Sequence, residues 1–176
     1  MDNIREIREN GIKLQKLLGL DYPAVGVKLI ESKEEVPDGY RELEEPVRHC
    51  EMIQIARKEG KKFYATKEKQ SCKGGAYALG ILQEQEVPEP LKTGKLYYDL
   101  GNFETEEAGR KTVTSILRVK DAMYGAVYAA LNNTDFEADS IVVICTPKKG
   151  MILTQATLYK EGGVFQTKFS GFQSVC

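Results

Sequence analysis

The sequence predicts an α+β fold, in which residues 1–176 form a single domain with a mixed sheet and helices packed on it. Stretches with apolar residues at helical spacing and stretches rich in β-branched residues both occur along the whole chain. They alternate irregularly, without the repeated strand–helix–strand units that produce a parallel α/β sheet. The composition is ordinary for one globular core, because 41% of the residues are apolar and 29% are charged.

The N-terminal part of the chain predicts two helices and two strands. Apolar residues spaced among charges predict an amphipathic helix over residues 3–18. The β-branched stretch AVGVKLI (24–30) predicts a strand, and KKFYAT (61–66) predicts a shorter one. Between these strands, helical spacing recurs over residues 47–59, and Gly60 is a natural helix stop.

The middle of the chain predicts two further helices and a strand. Ser71 can cap a helix that runs through AYALGIL to Gln83. The stretch KLYYDL (95–100) predicts a strand. Thr105 is a suitable cap for a helix over TEEAGRKTVTSIL, because acidic residues follow it where the positive end of the helix dipole stabilises them.

Towards the C-terminus, the strongest strand signal is the apolar run in SIVVICT (140–146), which Pro147 ends. We expect this to be a central strand that buries Cys145 as a packing residue. YGAVYAAL (124–131) fits either a strand or a helix. MILTQATLYK (151–160) predicts a helix.

The charge balance and the lack of long apolar runs argue against several classes of protein. The net charge is −1, from 25 basic and 26 acidic side chains, whereas a sequence-independent nucleic-acid binder needs a basic face. No apolar run approaches membrane-spanning length, and MDNIREIREN lacks the apolar core of a secretory signal. We therefore expect a cytoplasmic protein without nucleic-acid or membrane partners, whose thiols stay reduced.

Cys50 and Cys72 are the candidate reactive thiols. Cys50 lies early in the helix predicted over residues 47–59, and a helix N-terminus stabilises the thiolate, which is both ligand and nucleophile. Cys72 precedes Gly74 and Gly75, which let the backbone approach closely and direct amide groups at a phosphate or at cluster sulfides. Two alternatives are that Cys50 packs as a small apolar residue and that the glycines form a tight turn with an unusual backbone angle.

Other residues are weaker candidates. Cys176 is the last residue, where a metal could order a chain end that otherwise frays, although coincidence explains its position equally well. His49 adjoins Cys50, but neighbours on a helix point about 100° apart, so direct pairing is not implied. Lys148 and Lys149 could receive an anion, although a solvated loop is the commoner role of such lysines. A tyrosine-lined pocket, or equally a core, would involve Tyr97, Tyr98, Tyr124 and Tyr128.

The cysteine spacing supports no local metal motif. There is no C-x-x-C motif, so neither a zinc ribbon nor a thioredoxin-like site is indicated. Any metal site that uses these cysteines must therefore be assembled by the fold.

With these residues in view, the chain resembles the archaeal and anaerobic bacterial family known as domain of unknown function 169. The resemblance is carried by YPAVGVKLI, by Cys50 with the helix that follows, by SCKGGAYALG and by the closing SGFQSVC. Strand 140–146 and the TQAT segment after it are also similar, so the match spans most of the chain. The family's cysteines correspond to Cys50, Cys72 and Cys176, and Cys145 does not belong to this set. The resemblance also implies that this chain lacks a C-terminal extension found in many relatives.

The residues and the resemblance together favour a metal-binding protein, with an iron–sulfur cluster on Cys50, Cys72 and Cys176. Water, His49, a bound small molecule or another subunit of a homo-oligomer could supply a fourth ligand. The expected role is redox or cofactor-related chemistry in an anaerobe, with a small molecule or a redox protein as partner.

Two other functions stay open from the sequence. The first is a non-catalytic module that binds an anion or a nucleotide-like ligand at Gly74 and Gly75, with structural cysteines. The second is a thiol-redox protein that forms a disulfide between Cys50 and Cys72.

Overall fold

The structure, a computed structural model, describes residues 2–166, and this range contains seven α-helices and five β-strands. The helices are α1 (Asp2–Leu18), α2 (His49–Glu59), α3 (Lys73–Ala78), α4 (Glu89–Lys92), α5 (Lys95–Asp99), α6 (Glu106–Ser115) and α7 (Pro147–Glu161). The strands are β1 (Val25–Ile30), β2 (Arg41–Glu42), β3 (Phe63–Thr66), β4 (Gly125–Ala130) and β5 (Ser140–Val142). None of the helices in the described range is both long and apolar enough to cross a membrane.

The five strands form one mixed sheet in the order β2-β3-β4-β1-β5. β4 lies at its centre and pairs antiparallel with β1 along its whole length, from Ala130 opposite Val25 to Gly125 opposite Ile30. β3 pairs antiparallel with β4, and β5 pairs antiparallel with β1. β2 pairs parallel with β3. The predicted α+β class, with a mixed sheet, is confirmed.

All six residues of β4 are buried, which explains why its sequence fitted a strand and a helix equally well. A strand that is covered on both faces shows no alternation of apolar and polar residues. Alternate side chains of β4 enter two apolar clusters, with Ala126 and Tyr128 in one and Val127 and Ala129 in the other. α2 contributes its buried apolar residues to the cluster that contains Tyr128.

The helices predicted at α1, α2, α6 and α7 are confirmed, and two of them have the expected ends. Gly60 ends α2 with a left-handed φ of 65°, a conformation that glycine adopts without a steric penalty. The Thr105 hydroxyl oxygen accepts a hydrogen bond of 3.1 Å from the Ala108 amide at the start of α6. The strands predicted over residues 24–30 and 61–66 are β1 and β3.

The strand predicted over residues 95–100 is wrong, because this segment forms the helix α5. α5 and α6 approach each other at two glycines: a Cβ on Gly109 would lie 2.7 Å from the carbonyl oxygen of Gly94. Gly94 also has a φ of 80°, at the position where the chain turns into α5. Composition favoured a strand here, but this tertiary contact overrides the local preference.

The strand predicted over residues 140–146 is shorter than its apolar run suggested. β5 covers three residues at the edge of the sheet, and its Ser140 and Ile141 are exposed. Cys145 therefore lies beyond the strand and is half-buried, so the expected central strand that encloses it is a wrong prediction.

The helix predicted over residues 71–83 is also too long. Cys72, not Ser71, is the N-cap of α3, and the helix ends at Ala78. Gly80 then has a positive φ of 73°, which L-residues with a side chain rarely adopt. A Cβ on Gly80 would lie 2.5 Å from the backbone carbonyl oxygen of Asp121. The segment that contains Asp121 can therefore pack this closely only because residue 80 is a glycine.

Candidate functional site

A short parallel pairing places the starts of α2 and α3 side by side. Val47 and Gln70 form an isolated parallel β-bridge. The Val47 amide donates to the Lys69 carbonyl at 3.2 Å, and the Ser71 amide donates to the Val47 carbonyl at 3.1 Å. Both segments run in the same direction and turn into helices shortly afterwards. The first turn of α2 therefore lies beside the first turn of α3.

The two helix starts meet at Gly75. Its amide donates a hydrogen bond of 3.3 Å to Sγ of Cys72, so this thiol caps its own helix. A Cβ on Gly75 would lie 3.0 Å from the Cβ of His49, which is closer than such atoms ordinarily pack. Neither Gly74 nor Gly75 has a positive φ. The alternative of a tight turn with an unusual backbone angle is therefore wrong, and close packing of α2 on α3 is the reason for glycine at position 75.

Cys50 follows His49 in the first turn of α2 and is half-buried. Cys50 and Cys72 are far apart in sequence, yet they occupy adjacent helix starts. No disulfide joins these two cysteines within the described part of the chain. We call the group formed by His49, Cys50, Cys72 and Gly75 the helix-start site.

His49 contacts the buried side chain of Tyr128, which in turn contacts the buried side chain of Gln70. Its Nδ1 atom lies 3.0 Å from the hydroxyl oxygen of Tyr128, which also accepts a hydrogen bond of 3.4 Å from Gln70 Nε2. Tyr128 is 0% exposed and Gln70 is 1% exposed. Burial lowers the pKa of His49 and raises the pKa of Tyr128, so both groups are neutral at pH 7.

The hydrogen-bond partners of His49 favour one of its two neutral tautomers. Gln70 Nε2 donates to the Tyr128 oxygen, and donation of the Tyr128 hydroxyl proton to Nδ1 of His49 then gives both groups a partner. The neutral imidazole then carries its own proton on Nε2. In this arrangement His49 offers an N–H donor at Nε2 rather than a lone pair for a metal.

The family comparison agrees with the resemblance in the sequence. A family profile, described as uncharacterised ArCR and numbered domain of unknown function 169 (DUF169), matches residues 13–176. The chain belongs to the DUF169 family. It is similar to an uncharacterised protein of Methanocaldococcus jannaschii, with 56% identity over 174 residues that cover 99% of this chain and 74% of that protein. No solved structure matches the DUF169 chain.

The predicted metal ligands of the DUF169 protein lie partly outside the described structure. Cys50 and Cys72 are at the helix-start site, and Cys176 lies outside the described residues. Within residues 2–166, no three His, Cys, Asp or Glu side chains are grouped so that they could hold a metal ion. Cys145 lies elsewhere, in the lining of a cavity between α2 and α7.

Sequence analysis of the DUF169 protein missed Gln70 and gave Tyr128 only a general place in a pocket or core. The available signal for Gln70 was its position two residues before Cys72. Of the four tyrosines, Tyr97 and Tyr128 are buried in the apolar core, and the other two are exposed at the surface.

Proposed function

We propose that the DUF169 protein is a metal-binding protein. Its metal cofactor is an iron–sulfur cluster held by the thiolates of Cys50, Cys72 and Cys176. The observation that carries the proposal is the parallel pairing of Val47 with Gln70, which starts α2 and α3 beside each other. This pairing brings together two helix starts that each carry a thiol. No disulfide links these two thiols. Thiolates are the ligands that iron–sulfur clusters use most.

The surroundings of Cys72 suit a cluster thiolate. Hydrogen bonds from backbone amides to ligand sulfur stabilise the thiolate and tune the cluster potential. The Gly75 amide already makes such a contact with Sγ of Cys72, at 3.3 Å. Both Cys50 and Cys72 are half-buried, which limits the access of solvent to their sulfur atoms. A cytoplasmic location, which we also propose, keeps such thiols reduced.

In this proposal His49 supplies a hydrogen bond rather than the fourth ligand. Its Nδ1 lies 3.0 Å from the Tyr128 hydroxyl oxygen, and the tautomer that accepts from this hydroxyl has its proton on Nε2. A neutral N–H group donates to a thiolate or to a sulfide. The fourth iron position is then left for water, a small molecule or another subunit, which suits a redox or cofactor-related role.

Anaerobic purification, followed by iron and sulfide analysis, tests the proposal. The wild-type protein should be brown and should contain iron and acid-labile sulfide. Cys50→Ser, Cys72→Ser and Cys176→Ser should each lose most of the iron, because a neutral hydroxyl replaces a soft thiolate poorly. Cys145→Ala is the matched control, since it removes a half-buried thiol away from the helix-start site. A folded, colourless wild-type protein that takes up no iron on reconstitution would refute the cluster.

The adjacency of the two helix starts also favours a second function, thiol-redox chemistry. Cys50 and Cys72 would then form a disulfide, with two protons and two electrons passing to an oxidised partner disulfide. Mass spectrometry of the oxidised protein should detect the Cys50–Cys72 link, and Cys176→Ser should leave it intact. In the cluster proposal, by contrast, Cys176→Ser loses iron. The glycine-turn ligand module has less support, because the Gly75 amide points at Cys72 Sγ.

A further inference from the structure

A cavity separate from the helix-start site lies between the C-terminal half of α2 and the start of α7. Its volume is about 380 Å³. Its lining contains three cationic side chains and one carboxylate, that of Asp21. We call it the cation cavity, after Arg57, Lys58 and Lys149.

The three cations have no carboxylate partner among the described residues. The Arg57 guanidinium lies 5.2 Å from the ring centre of Tyr22, and Nζ of Lys58 lies 5.8 Å from the same centre. The Lys149 ammonium donates a hydrogen bond to the Gly19 carbonyl. Three cations around the single carboxylate of Asp21 leave a net positive charge, whose potential attracts an anion.

Two residues of the lining each have a buried polar atom that lacks a hydrogen-bond partner within the described structure. These atoms are Nε of Arg57, which is a donor, and Oε1 of Gln54, which is an acceptor. Native structures leave few such groups unpaired, because the interaction with water that burial removes is normally replaced. The two atoms together fit a ligand that both accepts and donates hydrogen bonds.

The start of α7 adds further positive character to the cavity. Thr146 lines the cavity and is the N-cap of this 15-residue helix, but it makes no side-chain capping bond. Pro147 occupies the first helical position and has no N–H group. The next two amides, of Lys148 and Lys149, have no backbone acceptor among the described residues. Free amides and the helix dipole both favour a negative group here.

We propose that the cation cavity binds a phosphate group, either inorganic phosphate or the phosphate of a small phosphorylated molecule. The three cations and one carboxylate leave a net positive charge. A phosphate dianion neutralises more of this charge than a monoanionic carboxylate does. Its oxygens accept from the guanidinium group of Arg57, since guanidinium groups bind phosphate in a bidentate manner. A hydroxyl on the phosphate, or on the attached skeleton, donates to Oε1 of Gln54. The cavity is larger than a bare phosphate ion, which leaves room for a skeleton.

The cation cavity and the helix-start site share one side of α2. Cys50, Gln54 and Arg57 are spaced so that they lie on one face of the helix. With a rise of about 1.5 Å per residue, Cys50 is about 6 Å along the helix axis from Gln54. A molecule held by its phosphate can therefore extend along α2 towards Cys50. The phosphate proposal itself rests on the cavity alone and does not depend on a metal at the helix-start site.

Titration calorimetry of the full chain, freed of metal, tests this proposal at fixed ionic strength. The probes are inorganic phosphate, glycerol 3-phosphate and acetate, and we expect both phosphates to bind and acetate, a monoanionic carboxylate, to bind weakly or not at all. Arg57→Gln should raise the phosphate Kd about tenfold or more, because it removes a charge-assisted donor. Lys149→Gln should raise it several-fold. Lys120→Gln is the matched control, since it removes an exposed charge outside the cavity and should leave the Kd unchanged.

Tighter binding of glycerol 3-phosphate than of inorganic phosphate would identify the ligand as a phosphorylated small molecule, and equal binding would identify free phosphate. The proposal is overturned if neither phosphate binds or if acetate binds equally well. It is also overturned if Lys120→Gln weakens binding as much as Arg57→Gln does. Where circular dichroism shows that Arg57→Gln is unfolded, Lys149→Gln decides the result. Repeating the titration with Cys72→Ser separates this outcome from that of the cluster.

Discussion

The Nδ1 atom of His49, in the first turn of α2, lies 3.0 Å from the hydroxyl oxygen of Tyr128 on the central strand β4. The two rings are tilted by 56°, with centroids 5.6 Å apart. Tyr128 in turn stacks on Phe63 of β3, with ring centroids 5.2 Å apart. The single histidine of the chain therefore fixes the helix-start site to the middle of the sheet.

Tyr128→Phe should destabilise the protein because it removes only this hydroxyl group. Nδ1 of His49 and the amide of Gln70 would both lose a buried partner, which costs about 1–3 kcal/mol in the free energy of unfolding. Urea denaturation at neutral pH measures this change. Tyr124→Phe is the matched control, because Tyr124 is exposed. Loss of its hydroxyl should change the free energy of unfolding by less than about 0.5 kcal/mol. Equal stabilities of the two variants would contradict the role of the His49–Tyr128 bond.

Stability should decrease as the pH is lowered below 6.5, the ordinary pKa of histidine. Burial holds the pKa of folded His49 below that value, so the unfolded chain takes up the proton first. The contribution of neutral His49 is therefore complete above pH 6.5 and is lost as the pH falls towards the lowered pKa of the folded state. Unfolding free energies of the wild type and His49→Gln, measured from about pH 8 to about pH 5, test this. Their difference should shrink at acid pH, and a constant difference would rule out titration of His49.

Several elements could be predicted because their signals are local. Thr105 followed by acids marks the start of α6, and Gly60 marks the end of α2. α5 could not be predicted, because its packing depends on the approach of Gly94 to Gly109 across two helices. The edge position of β5 likewise depends on strand order, which an apolar run does not encode.

The helix-start site was predictable in its residues but not in its assembly. Cys50 and Cys72 were candidates from their helical and glycine contexts alone. Their adjacency depends on the Val47–Gln70 bridge, which is too short to leave a strand pattern in the sequence. Of the residues in the cation cavity, the sequence indicated only Lys149 as an anion ligand, because the contribution of α2 requires the tertiary contact between distant segments.

Cys145→Ala should leave iron content unchanged and reduce stability by no more than about 1 kcal/mol. Cys145 lies beyond β5 and is half-buried, so its thiol contributes little to the closed core. Its Sγ lies near Gly150 of α7, at 3.7 Å from where a Cβ on that glycine would be. Iron analysis and urea denaturation of the same preparation test both parts. Loss of iron from a folded Cys145→Ala protein would contradict the assignment of Cys50, Cys72 and Cys176 as ligands.

Gly75→Ala should push the two helix starts apart, whereas Gly74→Ala should not. The new Cβ at position 75 would lie 3.0 Å from the Cβ of His49, an atom that cannot move without α2. At position 74 the nearest atom is the hydroxyl oxygen of Tyr97 at 3.3 Å, which is the far end of a side chain. Both substitutions gain the same intrinsic helix propensity, about 1 kcal/mol, so the difference between them reports the contact.

Overpacking against His49 should make Gly75→Ala less stable than Gly74→Ala by about 1–3 kcal/mol. The displaced α2 also carries Cys50 away from Cys72, so Gly75→Ala should retain less iron after anaerobic reconstitution than Gly74→Ala does. Urea denaturation and iron analysis of the two variants in parallel measure these effects. Equal stability would mean that α2 and α3 do not touch at Gly75. Equal iron content with unequal stability would mean that the contact holds the fold together without positioning a metal.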